Sequence, residues 1–137
     1  MATTISAASR NAAVNAIVDQ LDGAASVVKI YAGAIDDPDV AATQTLLATL
    51  TCATPAFGAA SDDGTTSTAT AGAIADETNA VAGTAAWFRA ETSGGACVCQ
   101  GTVGVGSGDL QLNTTSISTG GTVSVTAWTF TCGQAQT

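Results

Sequence analysis

Residues Gly108 to Gly133 read GDLQLNTTSISTGGTVSVTAWTFTCG, apolar side chains alternating with Thr, Ser, Gln and Asn and broken once by Gly120-Gly121. A period of two belongs to half-buried β-strands, whose successive side chains point to opposite faces. Leu110 and Leu112 supply one apolar face, and Val123 and Val125 supply another beyond the glycine pair, so a β-hairpin or meander is predicted. The last strand then changes phase. Its apolar residues sit at odd positions in Val123, Val125 and Ala127 and at even positions in Trp128, Phe130 and Cys132. One extra residue, a β-bulge, would bring both sets to one face. The alternative is a strand with one face on its own core and the other on a second subunit.

Outward from this segment the same reading gives a mainly β chain. SVVKIYA at 26–32 is predicted as a strand with Val28 and Ile30 on one face and Lys29 and Tyr31 on the other. TQTLLATLTC at 43–52 is a second, with Leu46, Ala48, Leu50 and Cys52 aligned. Between them, Asp36-Asp37-Pro38-Asp39 forbids a sheet interior. Pro55-Ala56-Phe57-Gly58 ends the second strand, with Phe57 plugging a core edge, and Ser61 to Thr70 reads as a loop or exposed hairpin. Ala71–Ala75 and Gly83–Thr92 are predicted as the next pair; in the latter Ala86, Phe88 and Ala90 share one face and Trp87, Arg89 and Glu91 the other. A tryptophan beside an arginine on an outer face has the composition of an interaction surface; the alternative is that a loop or the helix covers it. Ala96–Val103 and a glycine-rich loop lead back to the opening stretch. Seven or eight short strands with regular turn signals predict an antiparallel β-sandwich, one domain over residues 1–137.

Residues 4–22 are predicted as the one helix, at the N-terminus. Ile5, Ala8, Ala12, Ile17 and Leu21, with Val14 and Val18 alongside, recur at helical spacing and leave Arg10, Asn11, Asn15, Asp19 and Gln20 mostly on the other side. Thr3, Thr4 or Ser6 could cap its start, and Asp22-Gly23 would end it with a left-handed glycine. Such a helix packs over a sheet face or an open end, or docks on a partner.

Composition narrows function. The 137 residues carry three basic against eleven acidic side chains, a net charge of −8, and no histidine. Arg10, Lys29 and Arg89 are too few to supply the phosphate contacts of nucleic-acid binding or an anionic membrane surface. No run of about 18 apolar residues is present to span a bilayer as a helix, and Met1-Ala-Thr-Thr opens without a secretory pattern. Without histidine the commonest general base and metal ligand are missing. No G-x-S-x-G frames a serine, and the glycines of 101–108 lack the lysine of a phosphate loop. The carboxylate groups Asp36/Asp37/Asp39, Asp62/Asp63 and Asp76/Glu77 lie in expected loops without EF-hand spacing and read as solvated turns. No enzyme activity, metal or cofactor is expected.

Cys52, Cys97, Cys99 and Cys132 allow three pairings. Cys97 and Cys99 share a strand face and are poorly placed to bond each other, so disulfides from each to Cys52 and Cys132 are the easier geometry. Free buried thiols and a four-thiolate zinc site are the alternatives, and C-x-C supports zinc weakly.

Several spaced segments, ATTISAASRNAAVNAIVDQLDG, VKIYAG, TQTLLATLT, PAFGAA, GTAAWFRA and DLQLNTTSISTGGTVSVTAW, together resemble small virion proteins of tailed bacteriophages, in order along nearly the whole chain. The resemblance implies a non-enzymatic structural protein of the virion, assembled in the host cytoplasm. Its nearest role is a capsid decoration (cement) protein, an oligomer such as a trimer bound to the major capsid protein or other virion proteins. A tail, neck or baseplate subunit is the alternative, and a surface carbohydrate-binding or adhesin module is a more distant one. In the cement reading Trp87, Arg89, Tyr31, Trp128 and Phe130 would form the interface.

Overall fold

The computed structural model describes residues 3–133 and 135–136; of the domain expected over 1–137, Met1, Ala2, Gln134 and Thr137 lie outside the described residues. In chain order the elements are β1 (Thr3–Thr4), α1 (Ala7–Val18) with a 3₁₀ turn (Asp19–Leu21), β2 (Val27–Tyr31), β3 (Leu46–Thr51), β4 (Ser61–Asp62) and β5 (Thr66–Thr70). They continue with β6 (Gly83–Thr84), β7 (Trp87–Glu91), β8 (Cys97–Gly104), β9 (Leu110–Leu112), β10 (Ser116–Ile117), β11 (Val125–Gly133) and β12 (Ala135–Gln136). The chain is mainly β with one N-terminal helix, as expected.

The phase change in the last strand is a bulge. Val125 pairs with Leu112 and Ala127 with Gln111, so the register slips by one residue at Thr126. Beyond the slip Trp128 is buried while Ala127, Thr129 and Thr131 are exposed. The even-numbered set therefore faces the core and no second subunit is needed to explain it.

The sheet differs from the expected antiparallel sandwich. Eight strands form one continuous sheet in the order β3-β2-β7-β8-β9-β11-β5-β4, with β1-β12 and β6-β10 as separate two-stranded pairs. It is mixed, because β8 and β9 run parallel through Val103↔Leu110 and Gly104↔Gln111. Parallel neighbours usually need a crossover of a dozen or more residues. Here five suffice, because the chain makes one tight loop and resumes in the same direction one lane over. Gly108 permits it: its φ is +87°, and an added Cβ would lie 2.9 Å from the Val103 carbonyl carbon. The segment Ala71–Ala75 does not pair with Gly83–Thr92; it meets the earlier chain through the bridges Phe57↔Ala71 and Cys52↔Ile74, while β7 lies between β2 and β8.

The helix packs across β5, β11 and β4. Ser6 caps it, accepting from Ser9 N. Its buried stripe is Arg10, Val14 and Val18, followed by Leu21, so it is rotated from the stripe expected: Ala8 and Ala12 are exposed. Arg10 takes an inward position because Asp62 answers its charge, with Nε and Nη2 each 2.6 Å from a carboxylate oxygen. Asn11 Oδ1 accepts from Ser67 Oγ, and Asn15 Oδ1 from the Ala60 amide. The polar side of the helix is thus bonded to the 60–67 segment, whose hairpin buries Ser67 and Ala69 beneath it. The positive φ after the helix falls on Ala25 (65°) and not on Gly23.

In β3, Leu46 is exposed and Leu47 buried, because a register slip opposite Ile30/Tyr31 displaces Leu46 from the apolar row. The core joins Val28, Ile30, Leu50, Phe88, Leu110, Leu112, Val123 and Trp128 to the helix stripe. Phe57 closes one edge, its ring 4.7 Å from that of Trp128 and edge-on.

Candidate functional site

Four of the five residues expected to form an outward contact surface are placed inside the fold, and the fifth is only partly exposed. Trp87 is 1 % exposed, Trp128 3 %, Arg89 5 % and Tyr31 6 %, and Phe130 is half-buried. Trp128 belongs to the core and meets Phe88 edge-on at 5.3 Å. Tyr31 and Trp87 are neighbours across β2 and β7 and stack at 4.5 Å, 15° from parallel. Burial pushes the Tyr31 hydroxyl pKa up. On the same side of β7, Arg89 donates through Nη1 to Val40 O (2.7 Å) and through Nη2 to Pro38 O (3.1 Å), and Gln100 Nε2 donates to Asp36 O. The acidic loop therefore lies across this face as a cover, which is the alternative the sequence left open.

Beneath the cover the cations are neutralised. Glu91 receives Lys29 Nζ at 2.7 Å and Arg89 Nε at 3.3 Å. The latter contact is an ion pair out of line for a hydrogen bond, so Arg89 Nε joins Trp87 Nε1 and Gln100 Oε1 as buried polar atoms with no hydrogen-bond partner. Arg10 is held by Asp62. All three basic side chains are consumed inside the chain by two of the eleven acidic ones, which leaves nine carboxylates with no cation beside them among the described residues. The large apolar side chains that do reach solvent are Ile35, Val40, Leu46, Val81 and Val105.

The loop carboxylates are occupied by turns. Asp36 accepts from Thr43 N (2.7 Å) and Oγ1, and the Thr43 amide holds its pKa below the usual range. Asp63 Oδ1 accepts from the Thr65 and Thr66 amides, with the same effect. Asp62 is lowered chiefly by the Arg10 hydrogen bond. Cys52, Cys97 and Cys99 are free thiols. Cys97 Sγ lies 3.8 Å from Cys99 O, and Cys132 Sγ 3.7 Å from Gly133 O. Burial pushes the Cys52 thiol up to about 11 and Cys99 up to about 12. Among the described residues no group of three or more acidic or cysteine side chains is placed to hold a metal ion.

A concave feature that the sequence does not mark is also present. A cavity of about 230 Å³ lies between β8 and β11, lined by Cys99, Gln100, Asp109 and Thr129–Thr131 over the rings of Phe88 and Trp128. Phe88 reaches toward Trp128 across Gly101, where an added Cβ would lie 3.0 Å from the Phe88 ring. Asp109 stands at one end, its Oδ2 accepting from Thr102 N and Oγ1 at 2.9 Å. Nothing in the sequence marks this cavity, because the alternation of DLQLNTTSIS runs on past Leu112 and only the fold ends β9 after three residues. No protein-family model, curated protein or solved structure matches this chain.

Proposed function

We propose that this protein is a non-enzymatic structural subunit of a tailed-bacteriophage virion, acting as a capsid decoration protein that binds the assembled shell. The reading rests on the ordered resemblance of its segments to small virion proteins. The observation that supports it here is the disposition of charge: every cation is spent in an internal ion pair, and the outer surface presents carboxylates with scattered apolar side chains. Such a surface suits a protein partner carrying basic residues and repels phosphate backbones. The buried tryptophans cannot serve as anchors; Ile35 and Val40, which flank Asp36, Asp37 and Asp39, are the exposed apolar groups best placed for that work.

Co-sedimentation with purified expanded capsids of the encoding phage tests the reading. Stoichiometric binding that raises the temperature of shell disruption is expected, weakened in the Ile35→Ser/Val40→Ser double variant. Absence from shells combined with recovery on isolated tails would move the protein to the tail, neck or baseplate.

A further inference from the structure

We propose that the cavity between β8 and β11 is a docking slot for one extended segment of a basic partner protein, which enters the sheet as an additional strand. The slot exists because β9 is three residues long while its neighbours have eight and nine. At the level of Val103–Gly104, β9 fills the lane between β8 and β11. Below Asp109 the lane has no strand of its own, and among the described residues no backbone hydrogen bond joins β8 directly to β11. The open lane runs beside Cys99–Gly101 on one wall and Thr129–Thr131 on the other, about 10 Å for three residues at about 3.3 Å each.

The walls present main-chain groups to that lane. In a β-strand successive peptide groups point to opposite edges. The Ala71 amide donates to Trp128 O on the β5 side of β11, so the N–H and C=O of Thr129 and Thr131 point away from β5, into the slot. On β8 the Val103 amide donates to Ala86 O on the β7 side, and the Thr102 amide turns the other way, to Asp109. By the same alternation the main-chain groups of Gln100 face the slot. A strand laid in the lane would be bonded from both sides, whereas an ordinary sheet edge offers one. The Phe88 and Trp128 rings close the floor from beneath, both nearly buried, so recognition in the slot rests on the main-chain groups of its walls.

Charge selects the partner. Asp109 is the one charged group among the lining residues, and the chain as a whole carries −8 with its three cations already paired. A second copy would bring another −8 and no available cation, so the occupant is an extended segment bearing Lys or Arg. The slot belongs to the isolated domain and does not depend on the virion reading.

The probe is an N-acetylated heptapeptide of alternating valine and threonine with a lysine at each end, titrated into the full chain by NMR. Binding should slow amide exchange at Gln100, Thr129 and Thr131. A version with glutamate in place of lysine should bind at least about tenfold more weakly, and a version N-methylated at alternate residues should lose about tenfold or more through missing main-chain bonds. Thr131→Pro removes a slot-facing N–H outside the β5 ladder, so it should fold with an unchanged melting temperature and lose binding. Asp109→Asn should reduce the preference for lysine over glutamate. The proposal is overturned if the lysine peptide does not bind, if N-methylation leaves its affinity intact, or if the three amides are already protected by self-association without peptide.

Discussion

Trp128→Ala is the perturbation that tests the core most sharply. The ring is 3 % exposed and touches Phe57 at 4.7 Å and Phe88 at 5.3 Å, both edge-on. Truncating a buried tryptophan to alanine costs about 3–5 kcal/mol through lost transfer energy and the space left behind. Each edge-to-face pair adds about 0.5–1.5 kcal/mol beyond area, and the rigid β backbone around the ring limits collapse, so the upper part of the range, about 5 kcal/mol, is expected. With an unfolding entropy of about 2.1 cal/mol/K per residue, a chain of this length loses about 3.5 °C per kcal/mol, so the melting temperature should fall by about 17 °C. Since domains of this size are stable by only about 5–15 kcal/mol, the variant should sit near the edge of folding at 37 °C. Thermal unfolding followed by near-UV circular dichroism reads the change. Thr129→Ala, an exposed neighbour on the opposite face, is the control and should stay within about 0.5 kcal/mol. A fall of less than about 6 °C in Trp128→Ala would show that the two aromatic contacts do not carry the packing assigned to them.

Trp87→Phe should be close to neutral in urea unfolding, because the indole N–H it removes has no partner and its loss offsets the smaller ring; destabilisation by more than about 2 kcal/mol would contradict that. Acid should unfold the protein through Asp36, Asp62 and Asp63, whose folded pKa values lie below the ordinary range. The unfolded chain binds these protons first, so the stability they contribute is complete above about pH 4 and lost as the pH falls through the folded values. Urea midpoints measured from pH 6 to pH 2 should decline accordingly, and less steeply in Asp62→Asn. At pH 8 Cys52 and Cys99, with thiols raised to about 11 and about 12, should react with an aromatic disulfide reagent far more slowly in the folded protein than in urea. Because unfolded thiols ionise first, near pH 8.5, these two groups should also erode stability as the pH rises beyond it. Equal labelling rates in the folded and unfolded protein would refute the burial assigned to them.

The parts of the fold legible in sequence are those governed by local periodicity. The phase change from Val125 to Trp128 was readable as a bulge because a period of two leaves no other way to keep both apolar sets inside. The helix was readable for the same reason, but its rotation was not. Arg10 counts as polar in any periodic reading, and only Asp62, 52 residues away, makes it an inward residue. The parallel step from β8 to β9 was hidden because five residues between strands ordinarily signal a hairpin. Nothing in VGSGD announces that its glycines turn the chain through a full loop. The slip opposite Ile30/Tyr31, which exchanges Leu46 for Leu47, depends on the pairing partner and has no local mark in LLATL.

Alternation also explains why the residues expected at a contact surface lie under cover. It sorts residues into two faces and cannot say what covers either. Trp87 and Arg89 were correctly assigned to the face opposite Phe88 and Ala90, yet the carbonyls of Asp36, Pro38 and Val40, held by Gln100 and Arg89, cover that face. A carbonyl belongs to every residue and leaves no trace in composition. The slot between β8 and β11 is hidden for a related reason: its walls are main-chain groups, and its existence depends on the mismatch between a three-residue strand and its longer neighbours. Side-chain chemistry is therefore a poor guide to binding in this chain, whose sequence is short of charge, aromatics and histidine. Where side chains offer so little, recognition falls to backbone edges, and the lane that β9 leaves open presents them from both sides.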